Sequence, residues 1–372
     1  MTRRLSHAET QAFWRGFRLG CHCEGRIALK QSPPVTSLLT AHRSPLIAHR
    51  SPLTAHRSPL TAHRSSLTAH CSPLIARASS LSPFSIFPLM DASTWQKILD
   101  LCNKLSNVTY ENLTKIIRLE QTGSATGARN LDDSDQNDVD TWMGGGTCFS
   151  MTWHLYQSLR DMGLNPRLVM GHKRKERNIH CALILPNVSL DAAPFAPRTS
   201  SLAPRASLLS PLSSDYLFDP GYLIFDPLPI PAAPPLGTGE AIFPLVPNSV
   251  RLVRPAQDRM ELWTGGALGD RGLAGAQMKL RFEYPLDGVS VEEFKQHWVE
   301  SFYREMMTYP VLNRLDRERG IQYYYQKGNL VTRDANGSRM ERLDEGCRVE
   351  KLSEIFKLSP DLIEKALGIL SK

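Results

Sequence analysis

Gly144-Gly145-Gly146-Thr147-Cys148, running into Phe149-Ser150-Met151-Thr152-Trp153-His154-Leu155, is the stretch that decides the reading of this chain. The glycines end at a cysteine, and the cysteine opens a helical pattern from Phe149 to Met162. Thr152, Leu155, Tyr156, Leu159 and Met162 fall on one side of it. Gly163 is a natural C-cap, and Pro166 follows. A helix N-terminus lowers a thiol's pKa, because unpaired N–H groups and the helix dipole favour the thiolate. The glycines leave space for a substrate to approach backbone amides, which makes Gly145 and Gly146 candidates for holding a co-substrate.

Two further residues complete a chemical set. His180 lies on a strand-like run, Ile179-His180-Cys181-Ala182-Leu183-Ile184-Leu185, and Asp219 lies in Phe218-Asp219-Pro220-Gly221. A histidine within hydrogen-bond reach turns a cysteine into a thiolate–imidazolium pair, and a carboxylate on the other ring nitrogen fixes the tautomer. Cys148 as nucleophile, His180 as base and acid, and Asp219 as orienting group fill those roles. The backbone N–H of Cys148 is a candidate oxyanion donor. Each residue also has an ordinary reading: a structural cysteine, a core histidine, a turn aspartate. His154 and His172 compete with His180, and Asp226 in a second Phe-Asp-Pro competes with Asp219. Cys181 neighbours His180, but strand alternation turns its side chain to the opposite face.

The formal charge of +7 over 372 residues misleads. Residues 1–90 hold 11 basic and 2 acidic groups, so they carry +9, and the other 282 residues carry −2. Nothing in that balance points the folded part toward nucleic acid. The seven cysteines are scattered without C-x-x-C spacing, which fits a reducing, cytoplasmic setting and offers no metal site. No apolar run is long enough for a membrane helix, and there is no signal-peptide core.

Residues 41–75 repeat a seven-residue unit beginning Ala41-His42-Arg43-Ser44-Pro45-Leu46-Ile47. Its prolines exclude a coiled coil, and so short and polar a unit buries no core. Residues 1–89 therefore read as a disordered low-complexity arm. They also resemble an organellar transit peptide, and Met90 is an alternative start that would make the repeat upstream sequence. Beyond them we expect a helical subdomain at 90–178 and a β-barrel subdomain at 179–288 with a low-complexity insertion at 191–213. A C-terminal α/β lid follows at 289–372. The first helix carries Trp95, Ile98, Leu99, Cys102 and Leu105, the second Ile116, Ile117 and Leu119. Strands are expected at 167–171, 179–185, 216–219 and 222–225. Residues 229–239, with four prolines, and 264–276, with five glycines, read as loops; those glycines follow no clear strand and mark no nucleotide site. Ser290 and Glu293 form a capping box ahead of Val291, Phe294, Trp298 and Phe302. Hairpins turn at Lys327-Gly328 and Asn336-Gly337, and the last helix starts at Ser359-Pro360-Asp361.

In this order the motifs resemble the arylamine N-acetyltransferases. The matching pieces are Glu111-Asn112-Leu113, Gly145-Gly146-Thr147-Cys148, Ile179-His180 and Phe218-Asp219-Pro220-Gly221-Tyr222. The family keeps its histidine and aspartate close in sequence. Here they are 39 residues apart, and removing 191–213 leaves 16. Gly144 stands where the family has arginine, and Thr147 where it usually has an aromatic residue. The broader papain- and transglutaminase-like thiol enzymes share the same triad.

The resemblance implies an α+β, papain-like fold: an N-terminal helical bundle with the cysteine, a β-barrel with histidine and aspartate, and an α/β lid. It implies a ping-pong reaction in which Cys148 takes acetyl from acetyl-CoA as a thioester and an arylamine or hydrazine accepts it. A transglutaminase-like or hydrolytic thiol enzyme would use the same residues on amides. A catalytically inert binding protein on the same fold is the third reading.

Overall fold

Asp91 begins the first helix by accepting a hydrogen bond from the Thr94 backbone N–H at 2.8 Å. The computed structural model describes residues 90–128, 131, 144–189, 214–266 and 278–372. The seven-residue repeats and the insertion at 191–213 lie outside these. Helix α1 (Ala92–Ser106) buries Trp95, Ile98, Cys102 and Leu105, the residues that recur at helical spacing. A two-residue strand β1 (Tyr110–Glu111) leads into α2 (Leu113–Thr122), which ends at Gly123 in the left-handed conformation. A one-turn helix, Ala125–Ala128, follows. Helix α3 (Cys148–Asp161) starts at the nucleophile candidate and buries Phe149, Met151, Thr152, Leu155 and Leu159.

Eight antiparallel strands follow, curled into a nearly closed barrel: β2 (Arg167–Lys173), β3 (Glu176–Val188), β4 (Ser214–Asp219), β5 (Ile224–Pro229), β6 (Glu240–Leu245), β7 (Asn248–Ala256), β8 (Arg259–Gly266) and β9 (Lys279–Pro285). Their order is β5-β4-β3-β2-β9-β8-β7-β6. Strand β2 pairs with both β3 and β9 and so belongs to this sheet. Gly265 and Gly266 end strand β8 instead of opening a loop. The expected strand at 222–225 also starts later, because Pro220–Tyr222 forms a 3-10 turn first.

The lid opens with α4 (Val291–Glu300), where Ser290 Oγ accepts from the Glu293 N–H at 3.1 Å. Strands β10 (Val311–Asp316), β11 (Ile321–Gln326), β12 (Asn329–Asp334) and β13 (Gly337–Arg342) form a meander, with β1 paired to its β10 edge. Helices α5 (Glu345–Phe356) and α6 (Pro360–Leu370) close the chain. Leu352, Phe356, Leu362 and Ile363 from these helices pack with Leu113 and Ile117 of α2. The architecture is thus α+β: helical bundle, barrel and α/β lid.

Strand β3 divides two apolar cores. Cys181, Leu183 and Leu185 pack into the core that contains α1 and α3, whereas Ala182 and Ile184 face the barrel interior. The helix carrying Cys148 therefore lies against one face of the strand carrying His180.

Candidate active site

Cys148 is buried at the start of α3, 6% exposed. The turn before it is fixed by backbone and side-chain bonds. Gly145 N–H donates to the Thr109 carbonyl at 2.8 Å, and Gly146 N–H to Glu111 Oε1 at 3.1 Å. Gly146, at φ 68, adopts a conformation that glycine takes without strain. The amides of Gly145 and Gly146, expected to face a co-substrate, are thus already engaged. These glycines shape the turn, and their N–H groups do not offer themselves to a ligand.

Glu111 carries no signal in the sequence beyond its motif, yet it is a fully buried carboxylate with a defined task. Its Oε1 also accepts from Thr114 Oγ1 at 2.6 Å, and Oε2 from the Thr114 N–H at 2.8 Å. It caps α2 and holds the glycine turn at once. A Cβ on Gly144 would sit 3.0 Å from Glu111 Oε1, so the missing side chain makes room for the carboxylate. Asn112 ties this region to the lid by accepting from the Val311 N–H at 2.8 Å and donating to the Tyr309 carbonyl at 2.9 Å.

The structure brings Cys148, His180 and Asp219 together. His180 Nε2 meets Asp219 Oδ1 at 2.8 Å, with both side chains buried. That leaves Nδ1 as the ring nitrogen for Cys148, with which His180 shares a hydrogen bond. Gly221 confirms how tightly the pieces fit. A Cβ there would lie 2.3 Å from Cys148 Cβ and 3.2 Å from His180 Cε1. Asp219 caps the 3-10 turn that carries Gly221 by accepting from the Tyr222 N–H at 3.0 Å. One aspartate thereby orients the histidine and places the glycine that admits the cysteine.

Aromatic residues of the barrel hold the imidazole. Phe282 stacks on His180 with ring centroids 4.2 Å apart and 14° between planes. The Tyr284 hydroxyl donates to Asp219 Oδ2 at 2.8 Å. Opposite His180 on β2, Gly171 leaves space that a Cβ would take from His180 and Tyr284. The register shifts just beyond it, between Gly171 and Lys173. None of these residues carries a sequence motif; their signal is the register of strands far apart in the chain.

Electrostatics favour an ion pair. Hydrogen bonding from Cys181 holds the Cys148 thiol well below its usual range; burial opposes this, and His180 and Lys115 reinforce it. Burial disfavours charge on His180, but the Asp219 carboxylate and then Cys148 outweigh it and raise its pKa to about 10. Lys115 is itself buried, donating to Ser301 Oγ at 2.5 Å and lying over the rings of Trp298 and Phe302 at 4.5 and 4.2 Å.

Cys181 also belongs to the surroundings of Cys148. It does face away from His180 across β3, but that does not take it out of the site, because Cys148 lies on its side. Cys181 is the first cause that lowers the Cys148 thiol pKa, and its backbone carbonyl accepts from Thr152 Oγ1 at 3.4 Å. The competing candidates sit elsewhere. His172 Nδ1 accepts from the Asn178 N–H at 3.2 Å, and Asp226 pairs with Arg317 at 2.7 Å near the surface. His154 lies on α3, and burial pushes its pKa down.

No protein-family model matches the sequence, and no curated protein does. Solved structures do. An arylamine N-acetyltransferase of Mycobacterium marinum superposes with a TM-score of 0.51 at 15% identity, covering 74% of this chain and 91% of the other. That of M. tuberculosis gives 0.51 at 18% identity over 74% and 93%. The M. marinum enzyme in complex with CoA gives 0.50 at 15% identity over 75% and 97%. The fold of this chain is the fold of those enzymes.

Proposed function

We propose that this protein is an acetyl-CoA-dependent N-acetyltransferase that acts on small arylamines or hydrazines. The observation that carries the reading is the continuous relay Cys148–His180–Asp219, buried at the junction of helical bundle and barrel. The likeness in fold to arylamine N-acetyltransferases supports the choice of reaction.

In the first half-reaction the Cys148 thiolate attacks the acetyl carbonyl of acetyl-CoA. A carbon–sulfur bond to Cys148 forms, the bond to the CoA sulfur breaks, and that sulfur takes the proton from the His180 imidazolium. In the second, the amine nitrogen attacks the acetyl-cysteine. His180, now neutral, accepts the amine proton, and Cys148 leaves as thiolate, restoring the ion pair. Asp219 keeps Nδ1 directed at the sulfur by holding Nε2. Residues 90–372 form the catalytic unit in this reading, residues 1–89 an arm and 191–213 an insertion. A nucleophile that must stay a free thiol suits a reducing compartment, and we place the protein in the cytoplasm.

Intact-protein mass spectrometry after brief incubation with acetyl-CoA tests this. A single acetyl group on Cys148 should appear, be discharged by an added arylamine and be absent from Cys148→Ala. Cys148 that alkylates readily but takes no acetyl group would move the assignment to amide substrates. An inert Cys148 would favour a binding protein on the same fold.

A further inference from the structure

The site holds a second thiol for which acetyl transfer has no use. Cys181 lies on the α3 face of β3, fully buried, in the same apolar core as Cys148. Cys148 and Thr152 are one helical turn apart on α3 and so present their side chains to the same strip of β3. Thr152 Oγ1 donates to the Cys181 carbonyl at 3.4 Å, tying the strand to that turn. In keeping with that placement, Cys181 is the first cause that lowers the Cys148 thiol pKa. All four cysteines among the described residues are free thiols.

We propose that Cys148 is also a modification site for hydroperoxides, with Cys181 as the resolving thiol that closes the product into a Cys148–Cys181 disulfide. This goes beyond acetyl transfer and needs no acetyl donor. In the first step the Cys148 thiolate attacks one peroxide oxygen. A sulfur–oxygen bond forms, the oxygen–oxygen bond breaks, and the departing oxygen leaves as alcohol or water with the proton of the His180 imidazolium. Cys148 is oxidised by two electrons to a sulfenic acid, and the peroxide is reduced. In the second, the Cys181 thiol attacks the Cys148 sulfur. The disulfide forms, the sulfur–oxygen bond breaks, and the departing hydroxide takes the Cys181 proton and leaves as water.

The order of steps is built into the pair. Burial holds the Cys181 thiol protonated, and the charge and hydrogen bond of the Cys148 thiolate reinforce this. While Cys148 is anionic, Cys181 is therefore a donor and not a competing nucleophile. Conversion of Cys148 to a neutral sulfenic acid removes that charge, so Cys181 becomes easier to deprotonate when its partner becomes an electrophile. The other buried cysteine, Cys102, is pushed up to about 12 by burial and lies outside this exchange.

The full-length protein is treated with near-stoichiometric hydrogen peroxide, its remaining thiols are alkylated, and it is digested with trypsin and mapped without reduction. Arg160 and Arg177 provide cleavage sites between the two cysteines. The expected product is a peptide pair joined through Cys148 and Cys181, released by dithiothreitol with full return of Cys148 alkylation. In Cys181→Ser the same treatment should leave Cys148 as a sulfenic acid, and excess peroxide should carry it to sulfinic and sulfonic acids, with no return on reduction. Wild-type protein that overoxidises Cys148 while Cys181 stays alkylatable, links Cys148 to another cysteine or leaves Cys148 untouched would overturn the proposal. The wild-type map decides this even if the serine variant fails to fold.

Discussion

Tyr284 donates its hydroxyl to Asp219 Oδ2 at 2.8 Å, on the carboxylate oxygen that His180 does not use. Asp219 is completely buried, and its two oxygens receive donors from three places: a histidine, a tyrosine and the backbone of Tyr222. The carboxylate is held in one orientation by the barrel wall, and the imidazole follows it.

Tyr284→Phe should therefore lower both stability and turnover. It removes a hydrogen bond to a buried charged group, about 1.5–3 kcal/mol. Urea unfolding should show a lower midpoint with the slope unchanged. Turnover should fall about tenfold, which corresponds to about 1.4 kcal/mol of lost transition-state stabilisation, with little change in KM. Wild-type turnover in a variant destabilised this far would show that the tyrosine serves folding alone.

Gly221→Ala asks whether the close approach matters. The added methyl would sit 2.3 Å from Cys148 Cβ and 2.6 Å from its Cα, both parts of the structure that a rotamer change does not move. The 3-10 turn or the start of α3 must shift. Overpacking of this kind costs about 1–3 kcal/mol, and a displacement near 1 Å at reacting groups costs about a hundredfold in rate. Cys148 alkylation and acetyl transfer should fall together. Unaltered alkylation would mean that the turn yields without disturbing the thiol–imidazole contact.

Much of this arrangement is legible in the amino-acid sequence, and the illegible part has definite causes. Helices α1, α3, α4 and α6 show in the spacing of Trp95, Ile98 and Cys102, of Leu155 and Leu159, of Phe294 and Trp298, and of Leu362 and Ala366, because each buries one stripe. Strands β6 to β9 do not show. Pro244 lies within β6 and Pro255 near the end of β7, and proline argues against a strand in any sequence reading. The sheet accommodates them because β6 is an edge and β7 shifts register between Val253 and Ala256. Cys148, His180 and Asp219 stand out by residue type and order. Tyr284, Phe282, Gly171 and Gly221 do not, since their roles arise only when β9, β2 and the 3-10 turn converge. Alternation likewise gives the face of Cys181 correctly but does not say that α3 covers that face.

Glu111→Ala should be among the most damaging single changes outside the triad. It leaves the N–H groups of Gly146 and Thr114 buried without their acceptor, at about 1–3 kcal/mol each. Thr114→Val removes only the hydroxyl bond and should cost clearly less. Thermal unfolding of the two variants gives the comparison, and equal destabilisation would mean that Glu111 does not hold the glycine turn.

The ion pair predicts the shape of the stability–pH curve. The pKa of His180 rises from the usual 6.5 to about 10 on folding, so its contribution is complete below 6.5 and is lost as pH climbs toward 10. Cys148 is depressed from the usual 9.0, so its contribution is complete above 9.0 and is lost as pH falls toward its folded value. Between about 6.5 and 9 the native protein keeps the proton on His180 that the unfolded chain lacks, and lacks the proton that the unfolded chain keeps on Cys148. The two slopes cancel there. Stability should be flat across that window, fall on the alkaline side as His180 deprotonates, and fall again in acid. Cys148→Ala removes the opposing slope, so its stability should decline through the window where the parent is flat. Thermal melts at closely spaced pH values measure both curves. Parallel curves for the two proteins would mean that Cys148 is not the thiolate partner of His180.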